Sequence, residues 1–209
     1  MQKMRLIKTT VVKRILLSFQ TILILFGGTA FCLAQQVTVI ANPGPFSGIE
    51  KAATSEKNVN WWDADFADDQ ACTECFAALE LAHYLTCCTS LSEEEILLRS
   101  PGRLPKNGDV FLVGSKQSNP LIASFDLTEK SLLRTDESFR LRAFQDNNRT
   151  ITIIEGKDRI GTLYGVYDYL QQLGISFYGL GEKGTVYPDK PVELPQTLNI
   201  IKNPSFLTR

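Results

Sequence analysis

Ile151 to Glu182, ITIIEGKDRIGTLYGVYDYLQQLGISFYGLGE, decides the fold. Ile151, Ile153 and Ile154, with Thr150 and Thr152, form a β-branched run suited to a half-buried strand. Gly156 and Asp158 end it, and the Asp158 carboxylate can accept hydrogen bonds from the free amides of a new helix. From Arg159 the period changes. Ile160, Leu163, Tyr164, Tyr167, Leu170 and Leu173 recur at three- and four-residue steps and predict a helical stripe. Gly174 follows, where helices commonly end in a left-handed residue. Gly161 and Gly165 lie inside this helix, and each costs about 1 kcal/mol relative to alanine. Close approach of the helix backbone to a sheet is the expected compensation.

Upstream, Ser138–Phe144 and Arg149–Glu155 are β-rich runs around Asp146-Asn147-Asn148, a hairpin signal. Arg140 and Arg142 alternate with apolar residues and are expected on a solvated face. Asp109–Ser115, DVFLVGS, is a near-continuous apolar strand, which implies cover on both faces. Asn119-Pro120 opens a short helical turn. Ala71–Thr86 reads as one helix with Cys72, Cys75, Phe76, Leu79, Ala82 and Leu85 as its stripe, capped by Asp68 or Asp69. Gln36–Ala41 is the first strand. Downstream, Ile175–Tyr178 is another strand, and Thr197–Ile201 an edge strand after a proline-rich tail. The order predicts an α+β fold: a two-layer sandwich, a mostly antiparallel mixed sheet with two main helices packed on it.

The chain has 209 residues, with 22 Lys+Arg against 23 Asp+Glu. That balance offers no clustered basic face for nucleic acid. The first 34 residues carry a basic start (Lys3, Arg5, Lys8, Lys13, Arg14), an apolar run and a small-residue exit at Cys32-Leu33-Ala34, the pattern of a signal peptide cleaved after Ala34. Lipoprotein processing at Cys32 and a retained anchor are the competing readings. Export to the periplasm or medium is expected, with no membrane association after cleavage. The domain division is then 1–34 signal peptide, 35–195 folded domain, and 196–209 linker or edge strand.

Export places Cys72, Cys75, Cys87 and Cys88 in an oxidising compartment. On one helix the two pairs lie on the order of 20 Å apart, at 1.5 Å per residue, too far for one zinc ion or for a disulfide between pairs. They read as small buried hydrophobes, with disulfide or metal chemistry as the alternative. Neither a metal nor another cofactor is expected.

Trp61, Trp62, Asp63 and Asp65 are the candidate carbohydrate contact. An aromatic face stacks on a sugar ring while carboxylates accept hydroxyl protons. The plainer reading, favoured on sequence, is a short strand with buried aromatics. His83, the single histidine, reads as a helix-surface or packed residue rather than a catalytic base. No phosphate-loop or dinucleotide glycine pattern occurs, and no catalytic residue is assigned.

Three stretches together resemble one family: AALELAHYL at Ala77–Leu85, DVFLVGS at Asp109–Ser115, and Ile151–Tyr178 with Gly-x-Leu-Tyr-Gly at Gly161–Gly165. They are similar to the N-terminal non-catalytic α/β domain of exported glycoside hydrolases, of the beta-N-acetylhexosaminidase and alpha-glucuronidase type. The resemblance implies an accessory role beside a catalytic barrel that carries the paired carboxylates of glycoside hydrolysis. It implies that the barrel would begin where this chain stops, at Arg209, so that this chain alone would not hydrolyse glycosides. The alternative is a stand-alone exported carbohydrate-binding or interaction module, with an oligosaccharide as partner.

Overall fold

The computed structural model describes residues 36–125, 133–179 and 181–205. Its frame is a six-stranded sheet. The strands are β1 (Val37–Ile40), β2 (Ile96–Arg99), β3 (Gly108–Gly114), β4 (Phe139–Asp146), β5 (Arg149–Gly156) and β8 (Leu198–Lys202), in the order β2-β1-β3-β5-β4-β8. Strands β6 (Ser176–Phe177) and β7 (Thr185–Val186) form a separate antiparallel pair. The α-helices are α1 (Ile49–Ala53), α2 (Phe66–Cys88), α3 (Pro120–Ser124) and α4 (Arg159–Gln172).

A mixed sheet with two main helices, α2 and α4, packed on it is the expected architecture. The pairing within it differs from the expectation. β2, β1, β3 and β5 run parallel, and only β4 against β5 and β8 against β4 are antiparallel. The hairpin is local and visible in sequence, whereas the parallel pairings join strands separated by helices and long loops.

The pleat divides the apolar residues between two cores. Val37, Val39, Phe111, Val113, Leu141 and Ile154 face α1, α2 and α4. Ile40, Val110, Leu112, Ile151 and Ile153 face the other way, onto Ile122 of α3 with Phe125 and Phe144. The run DVFLVG is apolar without alternation because both of its faces are covered, as expected.

Helix α4 begins where its cap predicts: Asp158 accepts from the Gly161 amide at 2.7 Å. It ends before Gly174, whose φ of 92° is left-handed. Its contact with the sheet is set by glycine. A Cβ on Gly161 would lie 2.3 Å from the Ser138 carbonyl oxygen, and one on Gly165 would lie 3.0 Å from Ile154 Cγ2. The face seated on the sheet is therefore Gly161, Gly165, Val166, Tyr169 and Leu170, all buried. Leu163, Tyr164 and Tyr167 of the expected stripe are only half-buried. Tyr167 reaches across to α2, donating to Glu80 at 2.8 Å.

Further expectations are corrected. Helix α2 starts five residues earlier than expected, and its N-cap is Asp65, which accepts from the Ala67 amide at 3.1 Å. Arg140 is not on a solvated face. It is buried at 4% exposure, because it lies opposite Glu155 on β5 and both Nε and Nη2 bond Glu155 Oε2, at 3.1 and 2.5 Å. The four cysteines of α2 are free thiols. Cys72, Cys75 and Cys88 are buried as expected, but Cys87 is exposed. The expected edge strand is β8, at one edge of the sheet. It is tied to α4 by the Lys202–Asp168 ion pair. The expected signal peptide, residues 1–34, and the end of the tail, 206–209, lie outside the described residues.

Candidate functional site

The four residues singled out from sequence fall on the turn that enters α2. They do not form a strand with buried aromatics. Residues 61–64 turn, held by the Asp63 amide on the Asn60 carbonyl at 3.2 Å. Asp63 Oδ1 accepts from the Asp65 amide at 2.9 Å, and Asp65 Oδ1 caps the helix. Both carboxylates thus hold local backbone while remaining exposed. A tight polar turn of this kind turns the two tryptophans to different fates. Trp62 is 94% exposed. Trp61 folds back: its Nε1 donates to the Glu56 carbonyl at 3.3 Å, and its ring lies 5.1 Å beneath the Arg159 guanidinium.

Arg159 joins the turn to the start of α4. Its Nη1 bonds Asp69 Oδ2 at 2.9 Å while its flat face covers Trp61. Asp69 is buried, and burial pushes its carboxyl above the usual range, with Arg159 opposing and Asp68, Asp63 and Asp65 adding to the rise. Two depressions open on either side of Arg159. One, of about 530 Å³, is walled by Trp61, Phe76, Leu163 and Glu56. The other, of about 370 Å³, is walled by Phe66, Gln70, Gln117 and Lys157. Ile160 and Arg159 belong to both. Phe66 and Phe76 are 66% and 39% exposed. The result is an aromatic surface whose charged lining is Glu56 and Asp158 against Lys157 and Arg159. Such a surface stacks flat apolar faces and accepts hydrogen bonds from hydroxyls or ammonium groups.

Phe66 follows the Trp61–Trp62 pair closely in sequence, whereas Arg159 was not among the sequence candidates and Phe76 was expected on the buried stripe of α2, from which its exposure removes it. Phe66 lies off the buried stripe of α2, which is a usable signal. Arg159 is ninety residues away from its partner Asp69, and only the packing of α4 on α2 brings them together.

A second polar cluster lies inside the molecule, at the C-terminal ends of β1, β3 and β5. After β1 the chain passes to α1 and α2 on one face of the sheet, and after β3 it passes to α3 on the other. Adjacent parallel strands whose continuations diverge in this way leave a crevice, the usual ligand position of doubly wound sheets. Here the protein fills it with its own groups. Asn119 Nδ2 donates to the carbonyls of Ile40 and Val113 at 3.2 and 3.1 Å, and Asn42 Nδ2 donates to that of Ser118 at 2.6 Å. Glu74 of α2 closes it. Its Oε1 accepts from Gln70 Nε2 at 3.0 Å and from Thr162 Oγ1 at 3.4 Å. Burial pushes this carboxyl up to about 7, against the pull of surrounding donors. None of this was legible in sequence, where Glu74 is one more acid on a helix.

His83 is exposed on α2, as expected for a surface histidine. Its ring packs on Tyr84 with centroids 5.1 Å apart, and its Nε2 lies 4.0 Å from Cys87 Sγ. Among the described residues, no group of three or more metal-ligating side chains converges.

No protein-family model matches the chain, and no curated protein matches it. Among solved structures it is similar to one described as "A novel family GH115 4-O-Methyl-alpha-glucuronidase, BtGH115A, with specificity for decorated arabinogalactans". The similarity has a TM-score of 0.47 at 15% identity, over 82% of this chain and 18% of that one. The chain thus spans less than a fifth of that structure's length.

Proposed function

We propose that this protein is a non-catalytic accessory domain of an exported glycoside hydrolase involved in polysaccharide or glycan degradation, acting beside a separate catalytic barrel. The observation that carries the reading is where the three family-like stretches lie. They are the second half of α2, β3, and the run β5–α4–β6. These elements pack on one another through Leu81, Leu85, Phe111, Ile154 and Val166 in a single core, so the resemblance follows one structural unit. Export, in this reading, is directed by the leader of residues 1–34.

Extending the coding sequence past Arg209 and assaying the product tests it. The expected product contains a barrel and cleaves aryl glycosides or glycan side chains, while the 35–209 domain alone cleaves neither. Cleavage by the domain alone overturns the non-catalytic assignment. A neighbouring coding sequence with no barrel overturns the accessory one.

A second reading, an exported carbohydrate-binding or interaction module, is supported by one observation: Trp62 is almost fully exposed beside the Trp61–Arg159 stack. Calorimetric titration with oligosaccharides tests it, and flat traces across neutral, acidic and amino-sugar oligomers dismiss it.

A further inference from the structure

Strand β2 ends the six-stranded sheet, and among the described residues only β1 pairs with it. Along a strand the backbone groups of successive residues point alternately to the two sides. Arg99 turns to β1, where its carbonyl accepts from the Ala41 amide at 3.2 Å. Leu98 therefore presents its amide and carbonyl outward, and Ile96 its carbonyl; the Ile96 amide donates to the Glu93 carbonyl. Such edge groups are a template for another strand. Beside this edge, between β2 and helices α1 and α2, lies a groove of about 590 Å³. Its floor is Leu79, Ala82, Ile96 and Leu98, all half-buried. Glu50, Glu80 and Glu93 line it, and among the described residues no lysine or arginine does. None of the three is ion-paired with a described residue, and Glu80 accepts from the neutral Tyr167 hydroxyl. Lys51 and Arg99, the nearest cations in sequence, are exposed and outside the lining, and Arg99 alternates onto the face opposite Ile96 and Leu98.

We propose that the β2 edge accepts, as an added strand, an extended segment of a partner protein in which an apolar residue is flanked two positions away on each side by lysine or arginine. Free backbone groups and a shaped, charged groove meet at one place, and strand addition uses both: the main chain supplies affinity and alternate side chains supply selection. Side chains two apart on the added strand fall on one face, at the pitch of Ile96 and Leu98. The apolar one covers the floor. The flanking cations lay their stems along it and bring their charges to Glu50, Glu80 and Glu93. The same carboxylates disfavour a second copy as occupant. Antiparallel pairing of two β2 strands about a twofold axis keeps both sets of helices on one face of the sheet. Each copy's Glu50, Glu80 and Glu93 would then oppose the other's, a like-charge arrangement. The groove shares no residue with the depressions around Arg159 and is independent of the carbohydrate reading.

The test is fluorescence anisotropy of labelled peptides on the full chain. The probe is Thr-Lys-Thr-Leu-Thr-Lys-Thr. One control carries glutamate for both lysines, and another is the lysine peptide with the backbone amides that would face β2 methylated. In low salt the lysine peptide is expected to bind at least about tenfold tighter than the glutamate peptide, and the methylated one not measurably. Raising salt to about 0.5 M is expected to erase most of the charge preference. Glu50→Gln with Glu93→Gln changes two exposed positions and leaves the Ser92–Glu95 capping box in place. That variant is expected to lose about tenfold for the lysine peptide and nothing for the glutamate one. Equal binding of the methylated peptide overturns strand addition, and a preference indifferent to salt and to the double variant overturns the charge selection. Failure of the lysine peptide to bind overturns the proposal outright. So does sedimentation showing a dimer of the chain that the lysine peptide dissociates, since the edge then belongs to a second copy.

Discussion

Glu74 and Gln70, one turn apart on α2, share the interior end of the sheet: Gln70 Nε2 donates to Glu74 Oε1 at 3.0 Å and to Ser115 Oγ at 2.9 Å. Glu74 is fully buried, and its Oε2 has no partner in hydrogen-bonding geometry among the described residues. A carboxylate so placed is costly when ionised.

The first prediction follows from that cost. Burial holds the Glu74 carboxyl near 7 in the folded protein, while the unfolded chain ionises it near its ordinary value of 4.5. The folded state is then the proton-rich one. Its advantage is complete below about pH 4.5 and is lost as pH rises through about 7. The shift is worth about 3 kcal/mol. Glu74→Gln is expected to be more stable than the parent at pH 8 and to flatten the slope between pH 5 and 7. Urea midpoints across that range decide it, and parallel curves for the two proteins would rule it out.

Glycine seats α4, and the two glycines differ. Gly161→Ala drives a methyl into the Ser138 carbonyl, which is backbone and cannot swing away. It is expected to cost several kcal/mol, about 3. Gly165→Ala meets only side chains and is expected to cost about 1 kcal/mol, whereas Gly165→Leu overpacks by about 3. Thermal unfolding of the three variants gives the ranking, and an undisturbed Gly161→Ala would show that the helix does not approach the sheet this closely.

Arg140 and Glu155 are both buried, and the second cation near Glu155, Lys116, is at 3.9 Å. Arg140→Met leaves the carboxylate poorly compensated, and a loss of about 3 kcal/mol is expected. Adding Glu155→Gln is expected to restore most of it. A double-mutant cycle measures the coupling, and additive losses would mean that the pair does not act as one.

The thiols of α2 sort by exposure. Burial pushes Cys75 up to about 12 and Cys88 up to about 11, and raises Cys72, while Cys87 faces solvent. A thiol reagent followed by peptide mapping is expected to label Cys87 alone among these four in the native protein, at neutral pH. All four are expected to react in denaturant. Native labelling of Cys75 at a comparable rate would contradict the burial.

Much of this protein was determined by local sequence alone. The β5–α4 transition, the Asp158 cap, the left-handed Gly174 and the two-residue turn at Asn147-Asn148 each depend on residues within a few positions of one another. Side-chain period, cap chemistry and φ preference act over that range. Only the tertiary structure decided which strands run parallel, because those pairings join distant segments and leave no local mark. It also decided the fate of individual polar groups. Arg140 alternates like a surface residue, yet its cross-strand neighbour is Glu155, and the ion pair makes burial tolerable. Trp62 has a core residue's composition, yet the Asp63–Asp65 turn points it outward. Asp69 meets Arg159 and Glu74 meets Thr162 only because α2 and α4 lie side by side on one face. A charge's environment is the sum of groups brought in from far along the chain, and no periodicity in the sequence encodes that sum.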